Sequence, residues 1–520
     1  MRFVVLLFLY LKLIRNINGA NILFIGALAS PSHYIWNKVL STELVRNGHN
    51  VTIITHDYDS TKMENYTVIT MKGFYEHLEN EFPAEKYMLE NNVFNFIHQS
   101  VDYGAIACTF DFSTEGFKVL MDYPQNFTFD LIIYDITYPV CLYGLIPRFN
   151  NPPVIAVTAF LLNPYVSYSF GNPLQTSHIP HYCSKFTNQM NLRERLTNTI
   201  YSWADILIYK YISIPRQTAI TRAVFGQGMI PPWDEIERNI SLLLVNTDPA
   251  FDYPMVLAPN IIPVGGLHIK PAKSLPQDFE VIYNKAKGGV IVFSLGTNVK
   301  SNILNKNHTD AFLKVFSTLK QVVIWKFETG VLENVPQNVF IRKWLPQNDL
   351  IGHSNTKLFI THFGALGTQE AMYHGVPMVG FPVFVDQHVN AAKLAEKKIA
   401  LYLDYESLTY ENIYNTITEV LNNPMYKNNI VKISQRYKNQ PLTALERAVF
   451  WIEQVLKNGD VHYLNVPTRD MPMYQALNLD VILLITICLV FIYAVVKSVF
   501  RCCLYVLRMF KQDKVKEKMM

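Results

Sequence analysis

The chain has 520 residues, half of them apolar and 17% charged, which excludes a disordered or collagen-like chain and supplies more than one core, so two domains of ordinary size are expected. Its net charge is +4, and residues 501–520 hold Arg501, Arg508, Lys511, Lys514, Lys516 and Lys518 against Asp513 and Glu517. Residues 1–500 are therefore electrically balanced: they give no electrostatic reason to bind nucleic acid, and the basic excess belongs to a tail.

Arg2, the apolar run Phe3–Leu11 and the more polar stretch Lys12–Ala20 predict a signal peptide over residues 1–20, cleaved near Gly19 or Ala20. Ile22–Gly26, Trp36–Arg46 and Val51–Thr55 then read as strand, helix and strand, with Asn47-Gly48 stopping the helix. Phe129–Tyr134, ending at Asp135, and Val154–Thr158 are continuous apolar runs of the kind buried on both faces of a parallel sheet. Residues 60–128 and 160–235 are aromatic-rich without a clear period and are expected to surround a pocket. Of the six cysteines only Cys108, Cys141 and Cys183 lie in the main body, so buried small hydrophobes with at most one bridge are expected, with no zinc spacing.

Residues 264–276, rich in Gly and Pro, read as a linker. A second series of strands follows at Val290–Leu295, Val322–Phe327, Leu358–Thr361 and Met378–Phe381, with a helix over Ala365–His374 stopped by Gly375 and Pro377. The expected architecture is α/β: two doubly wound, Rossmann-like halves, 21–263 and 277–460, facing a cleft where ligands bind at the carboxyl ends of the strands.

After a juxtamembrane segment, 461–478, Val481–Val496 carries no charge, and a transmembrane helix is expected over 479–500, with Lys497 snorkelling to the headgroups. The basic tail 501–520 belongs in the cytosol and the body on the other side, a single-pass type I topology. Lys516-Glu517-Lys518-Met519-Met520 resembles the dilysine-type retrieval signal of endoplasmic-reticulum membrane proteins. Glycosylation sequons stand at Asn50, Asn65, Asn126, Asn239 and Asn307, Asn50 being the least suited because it opens a strand.

The decisive stretch is Trp344-Leu345-Pro346-Gln347 followed by Phe359-Ile360-Thr361-His362, Gly364, Gly367, Glu370, His374-Gly375, Pro377, Pro382 and Asp386-Gln387. It closely resembles the signature of the UDP-glycosyltransferases, two-domain GT-B enzymes, in their membrane-anchored, insect-like branch. Phe293-Ser294-Leu295-Gly296-Thr297, Val264-Gly265-Gly266-Leu267-His268, Ser32-His33 and the C-terminal anchor extend the likeness over most of the chain. By that resemblance Trp344 stacks on uracil, Gln347 bonds the base or ribose, and Glu370 accepts the ribose hydroxyls. Asp386 and Gln387 hold hydroxyls of the transferred sugar. A helix N-terminus attracts a diphosphate, and His362, Gly364, Gly367, Thr368, Gly296 and Thr297 are placed to receive it. Phe363 stands where the family has a small residue, and Leu366 where many relatives have a polar one.

His33 at a strand end suits a general base, since imidazole titrates near working pH. By resemblance its partner is Asp135, which would fix the tautomer. The family needs no metal and no cofactor, the UDP-sugar being co-substrate, and the sequence has no paired-carboxylate metal motif. The expected reaction is inverting transfer of a hexose to a hydroxyl of a small lipophilic acceptor, as in detoxification. Glucose is favoured over glucuronate because Leu244-Val245-Asn246-Thr247-Asp248 lacks a cation for a sugar carboxylate. The alternatives are a glucuronosyltransferase and a UDP-sugar-binding protein without turnover. A dinucleotide-dependent hydride-transfer enzyme is disfavoured because Gly26-Ala27-Leu28-Ala29-Ser30-Pro31 lacks G-x-G-x-x-G. Partners are the donor, the acceptor and the membrane; homo-oligomerisation is left open.

Overall fold

The computed structural model describes residues 19–81 and 92–517. The expected signal peptide, up to residue 18, and the last three residues of the retrieval-type signal lie outside them.

Two parallel sheets carry the fold. The first has seven strands: β1 (Asn21–Gly26), β2 (Asn50–Thr55), β3 (Tyr66–Thr70), β4 (Leu131–Asp135), β5 (Val154–Thr158), β6 (Ile240–Val245) and β7 (Ile261–Pro263), in the order β3-β2-β1-β4-β5-β6-β7. The central strand β1 pairs Ile22 with Val51 on one side and with Leu131 on the other. Alternation along it divides the core: Leu23 and Ile25 join one apolar cluster, Ile22 and Phe24 the opposite one. Hence the run is apolar throughout, as a strand covered on both faces must be.

The second sheet orders β8 (Val290–Ser294), β9 (Val322–Lys326), β10 (Val339–Arg342), β11 (Thr356–Thr361), β12 (Met378–Gly380) and β13 (Ala400–Tyr402) as β10-β9-β8-β11-β12-β13. Val290 and Val292 face one cluster, Ile291 and Phe293 the other. In each sheet the order reverses beside the first strand, between β1 and β4 and between β8 and β11. Such reversals open crevices at the carboxyl ends, and this is the GT-B arrangement.

Residues 264–276 carry no strand or helix. The helix expected from Trp36 begins earlier, at Pro31, whose ring occupies the first turn behind the N-cap Ser30. Proline's fixed φ favours that start, which puts His33 inside the helix. The helix Ala444–Asn458, grouped with the second half by sequence order, lies on the first sheet. Its Ala448, Ile452 and Val455 join Trp36, Leu40 and Leu44 in one cluster, Glu453 meets His49 at 2.7 Å, and Arg447 donates to the Pro263 carbonyl at 2.8 Å.

Cys108 and Cys141 form a disulfide, the single bridge allowed by the cysteine count, tying the helix Val93–Ser113 to the turn after β4. All five sequon asparagines are exposed. Residues 467–520 form a separate unit built on one helix, Leu479–Glu517. Its apolar part, Leu479–Met509, has 31 residues, about 46 Å at 1.5 Å per residue. That exceeds the ~30 Å of a hydrocarbon core, and the helix continues into the basic segment without a break at residue 500.

Candidate active site

His33 and Asp135 stand on either side of the first sheet's reversal, one in the helix after β1 and one at the end of β4. His33 Nδ1 lies 3.2 Å from Asp135 Oδ2, and both residues are buried. The same carboxylate accepts from Asn37 Nδ2 at 2.9 Å, from the Thr137 hydroxyl at 2.6 Å and from the Thr137 N–H at 3.1 Å. Burial pushes the Asp135 carboxyl up, but the His33 charge and the bonds from His33, Thr137 and Asn37 outweigh it and hold it below the usual carboxylate range. An ionised Asp135 accepts the Nδ1–H of His33, which leaves Nε2 as the ring's basic nitrogen. Phe160 stacks against the imidazole, ring centres 6.2 Å apart, and Tyr182 meets Phe160 edge-on at 5.5 Å.

On the other sheet, Gly296 after β8 and His362 after β11 flank the corresponding reversal. Gly296 has φ 78°, and a Cβ there would come within 2.6 Å of His362 Cε1; one on Gly364 would come within 2.4 Å of Nε2. Only glycines let the imidazole slot between these turns. Burial, aided by the nearby Lys326 charge, lowers the His362 pKa to about 3, so the ring is neutral. Its buried Nδ1 has no hydrogen-bond partner. Gly364 caps the helix Ala365–His374 without a side-chain bond, so the N-terminal N–H groups of this helix face the cleft end of the sheet as an anion site.

Trp344, in the loop after β10, is 63% exposed, which leaves indole surface for a base to stack on. Gln347 Nε2 donates to Glu370 Oε2 at 2.7 Å, joining the two residues assigned to base and ribose. Burial raises the Glu370 carboxyl to about 7, with Asp349 adding to the rise. Asp386, buried, accepts from Asn390 at 2.8 Å; burial raises it to about 6, and it feels the His33 charge across the cleft.

Two further assigned side chains are engaged by their own turns. The Thr368 hydroxyl donates to the Gly364 and Ala365 carbonyls of its own helix. The Gln387 amide oxygen accepts from the Val383 and Phe384 N–H groups, leaving only its amide nitrogen for a sugar. Gly367 abuts Gln347 rather than His362. Thr297 follows Gly296 in the turn after β8, and its neighbour Asn298 reaches across the cleft to Ser30 Oγ at 2.9 Å and Ser32 Oγ at 3.3 Å.

The two departures from the family pattern take definite places. Phe363 has φ 65°, the left-handed region where a small residue is natural, and its ring is fully buried in the core of the second half. It is turned into the core beside Gly380. Leu366 packs against the apolar cluster of the first half, so this helix start supplies an inter-half contact where many relatives have a polar side chain.

Sequence reasoning missed Asn37, Thr137, Phe160, Asn298 and Lys326. The first two stand at short offsets from His33 and Asp135, a signal that helix and turn geometry could have supplied; nothing local marks the other three.

Comparison with known proteins bears on the chain as a whole. The family model described as "UDP-glucoronosyl and UDP-glucosyl transferase" matches residues 22–517. UDP-glucosyltransferase 2 of Dactylopius coccus is 33% identical over 493 residues, covering 93% of each chain. UDP-glucuronosyltransferase 2B7 of Homo sapiens is 30% identical, covering 92% of each. Among solved structures, the calicheamicin glycosyltransferase CalG4 superposes with a TM-score of 0.58 over 85% of this chain and 99% of its own, at 16% identity, a likeness of fold. With the family match running from residue 22 to residue 517 and two parallel sheets that superpose on a solved glycosyltransferase, the chain belongs to the UDP-glycosyltransferase family and is a GT-B transferase that uses a UDP-sugar.

Proposed function

We propose that the protein transfers glucose from UDP-glucose, with inversion, to a hydroxyl of a small lipophilic acceptor, as in conjugation and detoxification of apolar compounds. The observation that carries the reading is the His33–Asp135 pair on one side of a cleft whose other side presents Trp344, Glu370, His362 and a free helix N-terminus. His33 Nε2 takes the acceptor's hydroxyl proton. The acceptor oxygen forms a bond to the anomeric carbon as the bond from that carbon to the phosphate oxygen breaks, and UDP leaves with the electron pair. Asp135 stabilises the imidazolium that results. The leaving diphosphate meets helix N–H groups and a neutral His362, and this set of donors calls for no cofactor.

Glucose is favoured by the surroundings of the sugar site. Residues 244–248 hold no cation, Asp386 brings a carboxyl, and the buried Lys393, whose charge reaches Asp386, is already paired with Asp252 at 2.5 Å. A glucuronate carboxylate would meet the Asp386 carboxyl there, while the Lys393 ammonium is already taken by Asp252. Phe160, stacked on His33, and Tyr182 beside it suit a flat apolar acceptor. The exposed apolar helix and the disulfide support a membrane-anchored protein whose body faces an oxidising lumen, in keeping with a type I endoplasmic-reticulum enzyme.

Microsomal protein assayed with labelled UDP-glucose and UDP-glucuronate against a panel of phenols tests this. Turnover with UDP-glucose, lost in His33→Ala, is expected. Turnover with UDP-glucuronate alone would reverse the sugar assignment, and full activity in His33→Ala would remove the proposed base.

A further inference from the structure

Lys326 is the last residue of β9, a strand end next to the second sheet's reversal. Its ammonium is drawn inward: the side chain is 8% exposed and Nζ lies 3.1 Å from Glu328 Oε1. It donates to the Gly296 carbonyl at 2.5 Å and lies 5.3 Å from the centre of the Trp344 ring. Its charge also reaches the His362 imidazole. Three residues assigned to different parts of the donor, the indole for the base and Gly296 and His362 for the phosphates, thus surround one buried cation.

A buried ammonium is costly unless it is well paired. Here the pairing is incomplete in one respect, because among the described residues the ammonium has two hydrogen-bond acceptors, the Gly296 carbonyl and Glu328 Oε1, for its three N–H groups. That remaining N–H lies at the place where a diphosphate is to bind. We propose that Lys326 is a donor-site residue, which fixes the Gly296–Thr297 turn and presents its positive charge to the diphosphate of the UDP-sugar. This rests on the donor reading above and adds to it a residue and two physical roles.

The first role is directional. A trans peptide points its N–H opposite to its C=O. With the Gly296 oxygen held on Lys326, the Thr297 N–H of the same peptide points away from the lysine. The anchor thereby sets the aim of that donor, and it holds the left-handed Gly296 against His362. The second role is electrostatic. Charge-assisted bonds to phosphate are stronger than neutral ones, and the ammonium's place over the indole adds a cation–π contact that steadies Trp344. Uridine and UDP differ by the diphosphate alone, so they separate a phosphate contact from a general contribution to the fold.

The test is calorimetric titration of the detergent-solubilised full chain with UDP and with uridine. In Lys326→Met, UDP affinity is expected to fall about ten- to a hundredfold, the range for losing a bond to a charged group. Uridine affinity should fall far less than UDP affinity, and Lys326→Arg should restore most of the loss. An unchanged ratio of UDP to uridine affinity in Lys326→Met overturns the inference. Wild-type protein that binds neither ligand overturns the donor reading itself, a distinct result. If Lys326→Met does not fold because Glu328 is stranded, the double variant Lys326→Met/Glu328→Gln takes its place; failure of both to fold assigns the lysine to the fold and overturns the proposal.

Discussion

Asn37 donates to the Oδ2 atom of Asp135 at 2.9 Å, the same oxygen that faces His33 Nδ1 at 3.2 Å. His33 and Asn37 lie one helical turn apart, so both side chains project from one face onto the end of β4. Asn37 therefore positions the carboxylate that positions the base. Asn37→Ala is expected to lower kcat about tenfold, in line with losing one bond to a charged group, while KM for the UDP-sugar stays unchanged. Steady-state kinetics with both substrates varied separates the two parameters, and a shift confined to donor KM would refute the assignment.

Glu370 gives the protein a pH dependence of determinable sign. Its carboxyl titrates near 7 in the folded chain, against a usual value of 4.5, because it is buried. The ionised form accepts hydroxyl protons and the protonated form does so less well, so UDP affinity should rise with pH through about 7. Folding runs the other way. Between 4.5 and about 7 the folded state holds a proton that the unfolded state has lost, so this group's contribution to stability is intact below 4.5 and declines as pH rises through that window. Glu370→Gln should flatten both profiles; UDP titration and denaturant melts from about pH 4 to about pH 8, which spans both ends of the window, check them.

Phe363 sets two costs against each other. Its φ of 65° is strained for a side-chain-bearing residue, yet its ring fills the core beside Gly380, where a Cβ would meet it at 3.1 Å. Emptying that space should cost about 3–5 kcal/mol, against about 1 kcal/mol of backbone relief. Phe363→Ala should therefore be markedly less stable than wild type, with Phe363→Gly less damaged than Phe363→Ala. Chemical denaturation of the three proteins decides it, and an Ala variant more stable than the Gly one would contradict the balance.

Asn298 joins the donor turn to the serines that open the His33 helix. Because its side chain is exposed, the bonds are worth about 0.5–1.5 kcal/mol. Asn298→Ala should reduce kcat/KM for the acceptor about three- to tenfold. Ser30→Ala/Ser32→Ala should do the same, and the combined variant should be no worse than either, since they share one interaction. Additive losses would show that the residues act separately.

The strands read from sequence are those with unbroken apolar runs: Val154–Thr158 is β5 without adjustment, and Ile22–Gly26 and Val51–Thr55 differ from β1 and β2 by one residue each. β3, whose Tyr66–Thr70 alternates in exposure, and the short β7, β10 and β13 lack such a run and were not legible. The helix Ala365–His374 was bounded by its Gly375 stop, which takes φ 69°, while the helix after β1 was read short because its first turn, Pro31-Ser32-His33, has no apolar period. In the site, residues inside the nucleotide signature could be named in advance. Lys326 could not, because its meaning comes from Gly296, Trp344 and His362, which β9 meets only through the sheet. The engagement of Thr368 and Gln387 within their own turns was likewise invisible, since a sequence does not record which way a hydroxyl or amide is turned.

The crossing of the helix Ala444–Asn458 onto the first sheet limits how the two halves can be exchanged between relatives. A chimera spliced once within residues 264–276 would import a foreign terminal helix, and the groove formed by Trp36, Leu40 and Leu44 would receive side chains shaped for another sheet. Swapping donor specificity intact thus requires two junctions, the second between Gln440 and Thr443, so that the native helix returns to its own seat. Truncation before that junction would bare an apolar strip on the acceptor half and send it toward aggregation.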